Sequence, residues 1–105
     1  MDNQNYELRY LPLFYEDLLQ AVTYIQEELK NPQAANDLLD EVEEAIKNRV
    51  NYAESFEPYP STRTRENLYY PIYVKNYVIY YVVLDHRIME VRRFLYKGRD
   101  RWNIL

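Results

Sequence analysis

The eight residues from Tyr77 to Leu84, YVIYYVVL, are apolar or aromatic at every position. A strand with one wet face alternates apolar and polar side chains, so a run that is apolar on both faces belongs at the centre of a sheet. The remaining chain must then supply its neighbours. LYYPIYV before it, across a Lys75-Asn76 turn, and RIMEVRRFLY after it, across an Asp85-His86 turn, read as antiparallel partners in a meander. Pro71 has no backbone N–H, which puts the first of these strands at a sheet edge or on a bulge. With a two-residue turn at Asp85-His86, Tyr81 faces Glu90 and Ile79 faces Arg92. Tyr77, Tyr81, Glu90, Arg92, Phe94 and Tyr96 then share one face. Tyr80, Val82, Met89, Val91 and Leu95, with Arg93, form the other, which receives the helices; a slip of one residue exchanges the two.

The helices lie in the first half. YELRY, from Tyr6, alternates in the manner of a half-buried strand and stops at Pro12. From Pro12 to Lys30, Leu18, Ala21, Val22, Ile25 and Leu29 follow helical spacing, with Pro12 tolerable in the first turn and Glu16 and Asp17 near the positive end. Asn31 and Pro32 read as a stop and a new start, N-cap then first helical residue. The second stripe is Ala35, Leu38, Leu39, Val42, Ile46 and Val50. The order is β-α-α-β-β-β, a helical hairpin packed on an antiparallel sheet, an α+β domain. At 105 residues the chain is long enough for one core and one domain, residues 1–105.

Residues 54–67, ESFEPYPSTRTREN, have no periodicity and form the one substantial loop. Cysteine is absent, so there is neither a disulfide framework nor a thiolate nucleophile, and one histidine cannot build a histidine-rich metal site. His86 reads as a turn residue. Asp37, Asp40, Glu41 and Glu44 share one helical face and read as a solvated surface rather than a cation site, because hard-metal ligands usually come from loops or several elements. Without a basic leader or a membrane-length apolar run, the chain is expected in the cytoplasm. Charge is segregated: residues 1–57 carry four Lys/Arg against thirteen Asp/Glu, and residues 58–105 carry nine against four. The basic half therefore calls for an anionic partner, whether nucleic acid, an acidic peptide or the acidic half of the same chain.

This element order, with YVKNYVIYYVV leading through a short turn to VRRFLYKGRDRWNIL, resembles the RelE/ParE superfamily of toxins from bacterial type II toxin-antitoxin modules. The likeness covers nearly the whole chain: LPLFYEDLLQAVTYI, the NPQAA that opens the second helix, the Asn76-Tyr77 hairpin, and a closing aromatic-x-x-Arg-Asp carried by Tyr96, Arg99 and Asp100. It rests on the order of these features rather than on any one of them. The resemblance implies a toxin held inactive by a cognate acidic antitoxin, with which it forms a hetero-oligomer. It implies action as a ribosome-dependent mRNA endonuclease needing no metal or cofactor, the reading the sequence favours, with action on DNA gyrase without catalysis as the alternative. A degenerate toxin that only binds antitoxin is the third reading.

Metal-free RNA cleavage requires a base, an acid and a cation converging on the phosphate attacked by the 2′-hydroxyl. Arg93 and Arg99 are the candidate phosphate clamps, since the guanidinium fork matches phosphate oxygens and keeps its charge. Tyr96, between them, could pack, stack on an unpaired base, or exchange protons with its pKa lowered by these arginines. Arg63, Arg65, Lys97 and Arg101 are further candidates for RNA contact, and Glu66 for the general base. Arg92, Lys97 and Arg101 serve equally well as counter-charges to the acidic helices, through surface pairs of about 0–1 kcal/mol each. Two positions depart from the pattern of relatives that cut RNA: Val78 stands where many carry a basic residue after the hairpin tyrosine, and Tyr70-Pro71 where others carry a basic pair.

Overall fold

The computed structural model describes residues 5–59 and 67–98. Its elements are β1 (Glu7–Tyr10), α1 (Pro12–Thr23), α2 (Pro32–Arg49), β2 (Tyr70–Val74), β3 (Tyr77–Leu84) and β4 (Ile88–Tyr96). The sheet order is β1-β4-β3-β2, with β2, β3 and β4 an antiparallel meander and Pro71 on the edge strand. β1 joins parallel to β4, Glu7 opposite Ile88 and Tyr10 opposite Val91, so the sheet is mixed rather than wholly antiparallel. Alternation in YELRY specifies a half-buried strand but carries no information about the direction of its partner.

Local signals set the helix ends. Pro12 occupies the first turn of α1, where a missing N–H costs nothing, and the Leu11 N–H bonds Val91 O at 2.9 Å. Asn31 caps α2 by accepting the Ala34 N–H at 3.1 Å, and Pro32 follows it. The inner face of α2 is Ala35, Leu38, Val42 and Ile46; Leu39, expected in that stripe, lies to its side and is exposed. Regular winding in α1 stops earlier than the spacing suggests: Tyr24–Glu28 form a π-helical turn, and Lys30 is left-handed at φ 55°. None of the described helices is long and apolar enough to cross a membrane.

The β3–β4 register corrects the two-residue expectation. Asp85 and His86 are both left-handed (φ 55°), yet Leu84 pairs with Ile88 in the ladder, so Arg87, whose N–H closes the turn on Leu84 O at 2.9 Å, is a third loop residue. Tyr81 consequently faces Val91 rather than Glu90. A bulge then inserts Arg92, so that Tyr80 faces Arg93 and Ile79 faces Phe94. The slip exchanges the faces of β4, and the bulge keeps both cores apolar. Ile79, Tyr81, Met89, Val91 and Phe94 meet the helices, while Val78, Tyr80 and Leu95 pack beneath Tyr59 and Tyr69 on the opposite face. Both faces of β3 are thus covered, as its composition demands. The buried Tyr81 hydroxyl is satisfied: it donates to Ala53 O at 2.8 Å and accepts from Arg49 at 3.0 Å. Arg49 also lies 3.6 Å over the Phe56 ring, a cation–π contact that holds the end of α2 to the segment that follows.

Candidate functional site

β1 ends at Tyr10 while β4 runs on to Tyr96, so among the described residues no strand pairs with the outer edge of β4 beyond Val91. α1 closes that edge with one side chain. Asp17, one turn after the buried Phe14, accepts the Phe94 backbone N–H at 3.0 Å and both arms of Arg93, Nε at 2.7 Å and Nη2 at 3.0 Å. The geometry is the bidentate fork, and the two side chains keep only 17% and 11% of their exposure. The Asp17 hydrogen bonds raise the Arg93 pKa despite partial burial, so the cation is permanent and its counter-ion is internal.

The other predicted residues scatter around this pair. Arg92, the bulge residue, does not balance the acidic helices: its Nε donates to Glu90 of the same strand at 2.8 Å and its Nη1 to the Tyr69 hydroxyl at 3.1 Å. Glu90, almost wholly buried, has Arg9 of β1 as a second cation at 3.8 Å. Tyr96 is 53% exposed and meets the Tyr77 ring edge-on at 5.6 Å; Tyr77 in turn stacks on Phe94 at 4.8 Å. Among the described residues no arginine bonds the Tyr96 hydroxyl. Lys97 lies 5.9 Å over the Tyr73 ring, and its backbone N–H bonds Asn76 O at 2.7 Å. Arg63, Arg65, Glu66, Arg99 and Arg101 lie outside the described residues.

The two departures have structural reasons. Val78 is fully buried on the face opposite the helices, and Tyr70 stacks on Tyr81 at 5.1 Å with its ring in the core. A cation at Val78 would be stripped of water. Asp37, Asp40, Glu41 and Glu44 are solvated, with Glu41 paired to Lys75 at 3.2 Å. His86 is a turn residue, but it also ties the β3–β4 hairpin to Glu54, Nδ1 to Oε2 at 2.7 Å, while Glu54 Oε1 accepts the Tyr6 hydroxyl at 2.8 Å.

Between the end of α1, the start of α2, the Lys75-Asn76 turn and the end of β4 a groove of about 620 Å³ opens. Its walls are largely apolar, Ala21, Tyr24, Ile25, Leu29, Tyr77 and Tyr96, with Asp17 at one side. Burial pushes the Tyr77 hydroxyl above the ordinary tyrosine value, so that wall stays neutral. In the described part of this surface the arrangement suits packing against another molecule better than binding phosphate: aromatic rings are exposed, and the strand arginines are neutralised from within. Asp17 was readable in the sequence as a helix residue beside Phe14, but nothing local announced that it reaches a strand 76 residues away.

Known proteins can now be set beside this geometry. A family model described as ParE toxin of type II toxin-antitoxin system, parDE, matches residues 8–101. A solved structure titled "Chromosomal ParDE TA system from P. aeruginosa" superposes with a TM-score of 0.72 at 14% identity, covering 88% of this chain and 96% of that one. At that identity the likeness speaks for the fold alone. No curated protein matches.

Proposed function

The chain belongs to the ParE toxin family of type II toxin-antitoxin systems, and we propose that it acts by binding its target, DNA gyrase, without cutting RNA. A cognate antitoxin, as in the ParDE toxin-antitoxin system whose fold it shares, neutralises it in a hetero-oligomer. One observation carries the choice between the two branches. Arg93, the described arginine best placed in sequence to clamp a phosphate, is held in a largely buried bidentate pair by Asp17, and releasing it would leave the Asp17 carboxylate without its counter-charge, bonded only to the Phe94 N–H. The buried Val78 and Tyr70 support the same reading, since two positions that bear cations in RNA-cutting relatives are here part of the core. Tyr96 and the cations that follow it in sequence, Lys97, Arg99 and Arg101, are then contact residues for a protein surface, where exposed tyrosine and arginine commonly dominate binding.

The test is induction of the chain alone in bacteria with mRNA 5′ ends mapped, beside a supercoiling assay of purified gyrase and toxin. Intact mRNA with blocked supercoiling is expected. New in-frame cuts that vanish in Arg93→Ala and Arg99→Ala would overturn the proposal and assign the chain to the mRNA endonucleases. Neither effect, with antitoxin binding retained, would leave a toxin that only binds its antitoxin.

A further inference from the structure

One wall of the groove is wound differently from the rest of its helix. Over Tyr24–Glu28 the chain takes the wider π-helical turn: the Leu29 N–H reaches back five residues to Tyr24 O at 3.1 Å. The Asn31 N–H reaches back six, to Ile25 O, also at 3.1 Å. Lys30, between these two donors, is left-handed at φ 55°, a conformation that is strained for any side chain with a Cβ. No proline, glycine or buried polar group forces the widening; the stretch reads YIQEE. It falls between two fixed ends. α1 is anchored at one end by Phe14 and Asp17 against β4, and at the other the chain must turn within Leu29-Lys30-Asn31 to reach the capped start of α2.

We propose that this turn is a movable wall of the groove, exchanging between the π-wound form and an ordinary α-helical winding that runs through Lys30. Rewinding would pass the Leu29 N–H from Tyr24 O to Ile25 O, return Lys30 to negative φ, and give up the Asn31 bond. The α2 cap, Asn31 Oδ1 to the Ala34 N–H, stays intact. The exchange trades one hydrogen bond against relief of one left-handed residue, terms of similar size and opposite sign. The burial opposing it comes from Ile25, which packs against the core; no residue of the π-helical turn is fully buried, and Tyr24 and Leu29 are 53% and 56% exposed. The same two side chains, with Ile25, form the wall, so their rotation changes the width of the groove without disturbing the sheet beneath. π-Helical turns recur at functional sites for this kind of reason. The inference stands apart from the choice of target, since it concerns only how the groove changes shape.

NMR relaxation dispersion on the full chain tests it, using backbone carbon and nitrogen of the wild type and of Lys30→Gly. Exchange on the microsecond-to-millisecond scale is expected at residues 24–31, with a minor state whose Lys30 Cα shift is helical, while β3 and β4 stay silent. Glycine removes the left-handed penalty, so Lys30→Gly should reduce the minor population roughly five- to thirtyfold. Absence of dispersion at these residues, dispersion shared with the sheet, or a minor population that Lys30→Gly leaves unchanged would each overturn the proposal.

Discussion

Replacing Asp17 by alanine should cost this protein far more than the loss of a surface charge. Three hydrogen bonds end on that carboxylate, two from Arg93 and one from the Phe94 N–H. Removing one partner of a well-buried ion pair typically costs about 3–5 kcal/mol, chiefly because the other charge is left without compensation. Here the groove beside Asp17 admits water, which lowers the penalty on Arg93, while the Phe94 N–H on an unpaired strand edge adds about 1–3 kcal/mol of its own if water does not replace the carboxylate. A net loss of about 2–4 kcal/mol follows, a large share of the 5–15 kcal/mol typical of a small domain. In urea, at a mid-range slope of about 2 kcal/mol per molar for a small protein, the midpoint should fall by about 1–2 M with the slope unchanged. Asp17→Asn keeps an acceptor but not the charge and should lie between. The cycle with Arg93→Met isolates the pair: the double variant should be more stable than the sum of the single effects by about 1.5–3 kcal/mol. A cost below about 0.5 kcal/mol for Asp17→Ala, or strict additivity in the cycle, would mean that the pair is incidental. The reason given above for setting aside phosphate binding by Arg93 would go with it.

Two further outcomes follow from the buried tyrosines and the far core. Burial, reinforced by the Glu54 carboxylate, pushes the Tyr6 hydroxyl up from 10.0 to about 12. A phenol with a raised folded pKa contributes stability that is complete below its unfolded value and lost as pH climbs toward the folded one; urea midpoints should therefore fall between about pH 10 and about pH 12, less steeply in Tyr6→Phe. Identical alkaline slopes in the two proteins would refute the assignment to Tyr6. Val78→Lys should cost more than about 3 kcal/mol because the ammonium is buried between Tyr80 and Leu95, whereas Tyr73→Lys, at an exposed site where only the ring contact to Lys97 is lost, should cost about 1 kcal/mol. Near-equal urea midpoints for the two lysine variants would contradict the placement of Val78.

What could be read from the sequence follows from the range of the interactions involved. The doubly apolar YVIYYVVL, the Asn31-Pro32 start and the edge proline at 71 are local patterns, and each is found where its chemistry puts it. The register of β4 was not legible because two offsets act on it, the third loop residue at Arg87 and the bulge at Arg92, and period-two patterning cannot detect an unpaired residue. The direction of β1 was hidden for a related reason. Tyr96 was singled out and is exposed beside the groove; Arg93 was singled out too, but its role depends on an Asp 76 residues earlier, a separation that no spacing rule bridges. The acidic half thus does serve as counter-charge to the basic one, most firmly through the bidentate Asp17 carboxylate, while the solvated face of α2 contributes the exposed Glu41–Lys75 pair.

The bulge in β4 has a consequence for how chains of this kind can vary in length. Without Arg92, Val91 would still face Tyr81, Arg93 would still face Tyr80 and Phe94 would still face Ile79, in an uninterrupted ladder with both cores preserved. The cost of losing that residue would fall on Glu90, which would keep only the longer contact to Arg9. A one-residue deletion anywhere else in β3 or β4 would turn a run of core side chains to the wrong face. Within the strands β3 and β4, this position is therefore where descendants of the sequence can gain or lose a residue, and with it a positive charge, while the fold stays the same.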